Sequence, residues 1–273
     1  MRLLVYTCVF GGYDRIFPPV ARDPRVDYVV VTDRPTPAIR GWETRHADPG
    51  EIGNPRLANR YFKILGHQVF SDYDASIYVD GNIRLLYSPR ELLERFCRKD
   101  VALGLFRHPQ RSSVADEVTE CVRRKQVRDA STAIAELQNY RAEGFDDSLG
   151  LMEAGVILRN HRHPELDRAM RDWWRLFEKY QSRDQFSLPF VLWKNNVPHT
   201  IFEESFRLPN PYFGWYPHIK SGTSSEAYAA VAAKAYGSRL FGFVHWLWNL
   251  KWTLQRRIRK HRHATGEGGG RSS

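Results

Sequence analysis

Cysteine is scarce. Cys8, Cys97 and Cys121 are the only three in 273 residues, they lie far apart, and no C-x-x-C occurs. A disulfide framework and a zinc ribbon are therefore disfavoured, and a reducing compartment fits the chain best. No run of eighteen apolar residues is present, which argues against a membrane-spanning helix. The apolar stretch from Leu3 to Phe10 is too short for a signal peptide and runs into Gly11-Gly12-Tyr13-Asp14, with no small-residue cleavage site. It reads as a buried first strand. Three phosphate and nucleophile signatures are missing as well: G-x-G-x-x-G after that strand, G-x-x-x-x-G-K, and G-x-S-x-G. Their absence counts against a nicotinamide dehydrogenase, a nucleoside triphosphatase and an α/β-hydrolase.

What is present is a hydrophobic fraction of 42%, enough for one sizeable core, and a formal net charge of +10. The charge is unevenly placed. Residues 251–273 carry seven Lys and Arg against Glu267, a net of +6, so the preceding 250 residues share only +4. A polynucleotide enzyme more often spreads charge along a groove with stacking aromatics, and no nucleic-acid-binding signature occurs, so no nucleic-acid partner is expected. Just before the basic run, Leu240, Phe241, Phe243, Val244, Leu247, Trp248, Leu250 and Leu254 fall on one face at helical spacing. Two readings stand open. Residues 238–263 form either an interfacial helix on an anionic membrane or a C-terminal helix docked on the domain with a solvated basic end. Residues 264–273, with Gly268-Gly269-Gly270, are expected to be disordered.

Along the body, β-branched runs alternate with helical patterns. Strands are expected at 3–10, 28–32, 76–79 (resuming at 83–86), 101–106, 149–158 and around His199. Helices are expected from Pro55, over 89–96, as two over 114–143, over 164–180 and over 186–193. The first helix has Asn54 as its cap and Pro55 at its first position, with Arg56, Arg60 and Lys63 on the side opposite its apolar face. His161 and His163 read as surface residues. The alternation predicts an α/β layered sheet: one domain over 1–220, a helical basic appendage over 221–263 and the tail beyond.

Three patterns carry chemistry. In Tyr78-Val79-Asp80-Gly81-Asn82 a strand stops abruptly at a carboxylate. Ligands collect at the carboxyl ends of strands in α/β sheets, and residues i and i+2 share a side of an extended chain, so Asp80 and Asn82 can grip one Mg²⁺ or Mn²⁺ that bridges a diphosphate. The same residues also make a good β-turn. Arg56, Arg60 and Lys63, at i, i+4 and i+7, suit anion recognition or a plain solvated face. Asp184-Gln185 opens a helix, where Asp184 serves either as a cap or, with Gln185, as a clamp on sugar hydroxyls. His218, in an aromatic loop, is a candidate third metal ligand, with Lys220 on phosphate; a loop histidine without a role is the alternative.

Taken in order, these segments resemble the domain of unknown function 616, a glycosyltransferase-like family found in bacteria and in plant proteins linked to pectic mucilage and to an alkaline ceramidase. The matching segments are Tyr6 to Asp14, Thr32-Asp33, Gly41-Trp42-Glu43, Pro55-Arg56, Arg60 to Leu65, Tyr78 to Ile83 and Arg183-Asp184-Gln185. The resemblance covers roughly residues 3–220, and that family is in turn similar to glycogenin-like retaining glycosyltransferases with a GT-A fold. It implies a GT-A-like domain with a mixed, mostly parallel sheet, and a nucleotide-sugar donor whose hexose or uronic acid passes to a glycan or lipid-linked acceptor in surface polysaccharide synthesis. Thr7, Phe10 and Tyr13 would hold base and ribose. Arg56, Arg60, Lys63 and Lys220 would hold phosphates, and Ala154 and Gly155 would lie beside the donor sugar. Asp80, Asn82 and His218 would hold Mn²⁺ or Mg²⁺, with Asn82 where a second Asp is usual. Asp184 and Gln185 would act near the reactive carbon. The expected place is the cytoplasm, at the inner membrane face under the interfacial reading of the basic tail. The ceramidase link leaves a lipid amidohydrolase as one alternative, and a non-catalytic glycan-binding protein is another.

Overall fold

The computed structural model describes residues 1–35, 39–202, 205–207, 212–216, 218, 231, 239, 240, 243, 244, 246, 247 and 250. The chain divides into two units, Met1–Trp215 and Tyr216–Ser273.

In chain order the first unit contains β1 (Leu3–Val9), β2 (Val26–Thr32), β3 (Glu43–His46), a 3-10 turn at Pro49–Glu51, α1 (Pro55–Ile64), α2 (Gly66–Val69), β4 (Ala75–Val79), β5 (Ile83–Leu85), α3 (Arg90–Cys97), β6 (Leu103–Arg107), α4 (Val114–Arg123), α5 (Ala130–Ala142), β7 (Met152–Asn160), α6 (Glu165–Tyr180), α7 (Asp184–Lys194), β8 (His199–Phe202) and β9 (Phe213–Trp215). The main sheet has seven strands in the order β3-β2-β1-β4-β7-β6-β8. Strands β3, β2, β1 and β4 run parallel, β7 is antiparallel to both of its neighbours, and β6 pairs parallel with β8. The expected mixed, mostly parallel α/β sheet is what the chain forms.

Every residue of β1 is buried, as for a strand covered on both faces. Its side chains alternate between two cores. Leu4, Tyr6 and Cys8 join Phe62, Ile64, Trp173 and Phe177 on the α1/α6 side. Leu3 and Val5 join Leu92, Phe96, Phe206 and Phe213 on the other. Each fully buried aliphatic side chain contributes about 1.5–3 kcal/mol, so this strand is among the most firmly held. A third cluster, including Val114, Tyr140, Phe186 and Phe190, seats α4 and α5 against α7.

Three expectations are corrected, and one strand appears that was not expected. Residues 83–86 do not resume the preceding strand: β5 leaves the main sheet and pairs antiparallel with β9. Strand β3 was not expected, because Glu43–His46 is largely exposed and has no apolar alternation. His161 and His163 are half-buried rather than superficial. The His161 Nε2 lies 2.8 Å from the Ser76 hydroxyl, and burial, then Arg159, push its pKa down to about 3. The His163 Nδ1 accepts from the Glu165 N–H at the start of α6. Finally, Lys63 is not on a solvated face; it is buried.

In the second unit the described residues of the expected C-terminal helix are helical, and Leu240, Phe243, Trp246, Leu247 and Leu250 are exposed. Phe243 and Trp246 stack with ring centres 5.9 Å apart. The basic run and glycine-rich tail, residues 251–273, lie outside the described residues. No helix among the described residues is long and apolar enough to cross a membrane.

Candidate functional site

From β1 the sheet grows outward through β2 to β3, then returns to the other side of β1 with β4. Between β1 and β4 the strand order reverses, and the crevice at the carboxyl ends of such a pair is the usual ligand position in α/β sheets. Two turns emerge there: Phe10 to Asp14 after β1 and Asp80 to Asn82 after β4. The first is pinned by Asp33, which takes the Gly11 N–H on both carboxylate oxygens at 3.1 and 3.0 Å. Gly11 has φ +62°, a conformation that suits glycine.

Helix α1 runs alongside. The Asn54 side chain accepts from the Arg56 and Leu57 N–H groups at 3.0 Å, a cap worth about 1 kcal/mol. That start fixes the phase of the helix. Its last turn then carries Lys63 inward, where the ammonium lies 3.3 Å from Asp80 Oδ1 and 2.7 Å from Asp184 Oδ2. Arg60 Nε is 3.3 Å from the other oxygen of Asp184. The Tyr78 hydroxyl donates to Asp80 Oδ1 at 2.9 Å. At the far end of the turn Arg159, fully buried, donates to the Lys63 carbonyl at 2.5 Å and to the Tyr6 hydroxyl at 3.0 Å.

Asp184 is the first residue of α7, but its side chain does not cap that helix; no side-chain cap is made there. Burial alone would raise its carboxyl, yet Arg60 and Lys63 outweigh burial and hold it below the usual carboxylate range. For Arg60 burial works to lower the pKa, and Asp184 and Asp80 overcome it and raise it. The approach to α7 is clamped from three sides. Arg56 donates to the carbonyl of Gln181 at 2.7 Å and to that of Ser182, the Ser182 hydroxyl bonds Glu136, and the Trp173 indole N–H donates to the Asp184 carbonyl at 2.8 Å.

Asp80, Lys63, Arg60 and Asp184 therefore meet, and Gly155 meets them too. Its carbonyl accepts from the Asp80 N–H at 2.8 Å, and a Cβ there would stand 3.1 Å from Asp80 Oδ2 and 2.6 Å from the Phe206 ring. Ala154 is buried beside it. Other expected residues play different parts. Thr7 and Phe10 are buried, Phe10 stacking on Phe62, so neither offers a surface to a nucleotide. Tyr13 is 50% exposed, with Arg60, Asp80 and Arg183 in its electrostatic surroundings. Arg56 gives its Nη2 to two backbone carbonyls, while its Nη1 is buried without a hydrogen-bond partner. The Gln185 amide donates to the Met152 carbonyl at 2.9 Å and so braces β7. Asn82 is buried. His218 belongs to the second unit, and Lys220 lies outside the described residues.

Tyr78 and Arg183 were quoted in motifs without a role of their own, and the ion pair of Arg207 with Glu153, next to Ala154, was not expected. Tyr78 was within reach, since residues two apart on a strand share a side. Arg183, 3.8 Å from buried Glu117, and Arg207 depend on long-range packing that no local pattern encodes.

The donor set suits a divalent cation poorly. Oδ1 of Asp80 already takes the Tyr78 hydroxyl and the Lys63 ammonium, and Asn82 is buried. No three His, Cys, Asp or Glu side chains among the described residues gather into a metal-holding group.

Fold and site together define an α/β protein that gathers cations and carboxylates at a strand-order reversal. The TOD1/MUCI70, glycosyltransferase-like domain matches residues 1–207, and the chain belongs to this family. A probable hexosyltransferase MUCI70 of Arabidopsis thaliana is 28% identical over 138 residues, a match covering 47% of this chain and 23% of that protein. The match thus spans less than a quarter of that relative. Among solved structures, the bifunctional glycosyltransferase WbbM (apo) is similar with TM-score 0.46 and 12% identity, covering 73% of this chain and 38% of that one. Mouse xyloside xylosyltransferase 1, apo form, is similar with TM-score 0.41 and 13% identity, covering 74% and 84%.

Proposed function

We propose that the chain is a glycosyltransferase of GT-A type that takes its sugar from a nucleotide-sugar donor and passes it to a glycan or lipid-linked hydroxyl. The observation that carries this reading is the meeting of Lys63, Arg60, Asp80 and Asp184 at the carboxyl ends of β1 and β4. In such a transfer the bond between the sugar C1 and the diphosphate oxygen breaks, and the acceptor oxygen bonds to C1 as it loses its proton. Positive charge grows on the ring and negative charge on the leaving diphosphate. Fixed cations at the diphosphate oxygens stabilise that separation without reorganising, usually the largest single contribution to such catalysis. Arg60 and Lys63 are held in place by Asp184 for that task, and Lys63 also pairs with Asp80. Gly155 leaves room there, since any side chain would collide with Phe206 and crowd Asp80.

The family supports this reading over a lipid amidohydrolase. An amidohydrolase usually needs a histidine-rich metal site, and the described residues contain no such group.

The test is a donor panel. UDP, GDP, CDP, ADP, dTDP and their common sugar conjugates are offered to the full chain, and binding is followed by calorimetry and donor hydrolysis by released nucleotide. At least one nucleoside diphosphate is expected to bind. Asp80→Ala is expected to lose hydrolysis by at least about a hundredfold, or about 2.7 kcal/mol of transition-state stabilisation, while circular dichroism stays unchanged. Undiminished turnover in Asp80→Ala, or no nucleotide binding across the panel, refutes the reading.

A further inference from the structure

We propose that the Lys63 ammonium takes the place of a divalent cation in this site, so that the donor diphosphate binds without metal. The inference rests on the glycosyltransferase reading and concerns how that same site meets its donor.

The geometry is that of a counter-ion built into the fold. Lys63 is 3% exposed and sits between two carboxylates, 3.3 Å from Asp80 and 2.7 Å from Asp184. Asp80 Oδ1 is the oxygen a bridging ion would use first, and it is already shared by this ammonium and the Tyr78 hydroxyl. An ion on that oxygen would sit within a few ångströms of a fixed positive charge whose own side chain is 3% exposed, although Asp80 itself is 32% exposed. Like charges that close repel, and the buried one cannot move away. The second oxygen, Oδ2, faces Gly155, and the amide at position 82 brings no charge to help hold a cation.

Charge and donor counts agree with this. Asp80 and Asp184 are balanced by Lys63 and Arg60 before any ligand arrives. An ammonium has three N–H donors and a guanidinium five. Lys63 donates to Asp80 and lies 2.7 Å from Asp184 as an ion pair, while Arg60 gives one Nη1 donor to the Asn59 side chain and holds its Nε 3.3 Å from Asp184. The remaining donors belong to groups held rigidly by Asp184, at the start of a clamped helix. Arg60, whose side chain is 28% exposed against 3% for Lys63, is the group that meets an arriving phosphoryl oxygen, with the Lys63 charge behind it in the place a bridging cation would otherwise take. Lys63 is itself anchored from behind, since Arg159 holds its carbonyl.

The experiment uses the unmodified chain first. The nucleoside diphosphates of the panel are titrated calorimetrically in EDTA and again in excess MnCl2. The dissociation constant is expected to agree between the two within about threefold, under 1 kcal/mol. Binding that appears only with Mn²⁺, or that weakens tenfold or more in EDTA, overturns the proposal while leaving the glycosyltransferase reading standing. No binding in either buffer overturns both. The second arm is Lys63→Ser, which exposes two carboxylates with no ammonium between them. This variant is expected to bind nucleoside diphosphate at least tenfold more weakly in EDTA and to recover on adding Mn²⁺, because a soluble cation can now enter where the ammonium was. Binding by Lys63→Ser in EDTA as tight as the parent chain's overturns the assignment. If the variant does not fold, the comparison of the parent chain in the two buffers still decides the matter.

Discussion

Asp184 and Glu136 are both buried carboxyl groups that serve one short stretch of chain, residues 181–184, yet their surroundings drive them in opposite directions. Asp184 faces two cations, Arg60 and Lys63, which keep it ionised despite burial. Glu136, on α5, faces hydroxyls: Tyr140 donates to it at 2.6 Å and Ser182 donates to its other oxygen. Burial there wins over those two hydrogen bonds and pushes its pKa up to about 7. The contrast separates two uses of a buried acid. One is a permanent charge that positions other charges. The other is a group near neutrality that fastens a segment and costs the fold when it ionises. Both act on the segment that delivers Asp184 to Lys63, so a failure of either reaches the candidate site by a different route.

The largest effect is expected from Asp184→Asn. It keeps the shape but leaves Arg60 and Lys63 with less counter-charge in a site where Asp184 is 8% exposed. Removing one partner of a buried ion pair typically costs about 3–5 kcal/mol, because the remaining charge is stranded. Urea unfolding at neutral pH is expected to show a loss of that size, together with loss of nucleotide binding. A change below about 1 kcal/mol would mean that the cations do not depend on Asp184, and the contrast with Glu136 would collapse.

Next in size is a pH effect of opposite sign at the two acids. The folded pKa of Asp184 is depressed, so its contribution is present above the ordinary carboxylate value of 3.8 and is lost as pH falls further. The folded pKa of Glu136 is raised from 4.5 to about 7, so its contribution is full below about 4.5 and is lost as pH rises through 7, roughly 3 kcal/mol in all. His67, His108 and His161, all with depressed pKa values, work against it by losing stability as pH falls below 6.5. Glu136→Gln keeps an amide for the two hydroxyls and removes only the titration. The difference in unfolding free energy between parent and variant is therefore expected to shift against the parent as pH rises from 4.5 to 8. A flat difference would show that Glu136 keeps one protonation state throughout.

Much of the fold was legible because it is written locally. The β-branched runs of β1, β2 and β4, and the Asn54-Pro55 start of α1, need only nearest neighbours to be read. Asp80 and the Arg60/Lys63 pair were legible as a strand end and a helix flank, and their meeting follows from the strand-order reversal. The fate of individual groups was not legible. Lys63 reads as one of three cations on a polar face, but α1 is rotated so that this one turns inward. Arg56 looks equivalent to it by spacing and instead holds backbone carbonyls 125 and 126 residues away. Asp184 has the position of a cap and is used for charge. Thr7 and Phe10 were expected as ligand contacts only through the family resemblance, and both side chains are buried. Each miss has one cause: which partner a polar group finds depends on packing between elements distant in sequence.

The smallest effect sharpens the same contrast, since it touches only the charged side. Gly155→Ala would set a methyl group 2.6 Å from the Phe206 ring and 3.1 Å from Asp80 Oδ2. The ring and the surrounding strands must give way, and overpacking of this kind costs about 1–3 kcal/mol. Because β7 holds Asp80 through the Gly155 carbonyl, part of the shift reaches the carboxylate and the ammonium on its other oxygen. Donor binding is therefore expected to weaken more than stability does, and the midpoint of the pH profile set by Glu136 is expected to stay where it is. If the glycine variant moves that midpoint instead, the two acids are coupled through the sheet, and the division between a fixed charge and a titrating fastener does not hold.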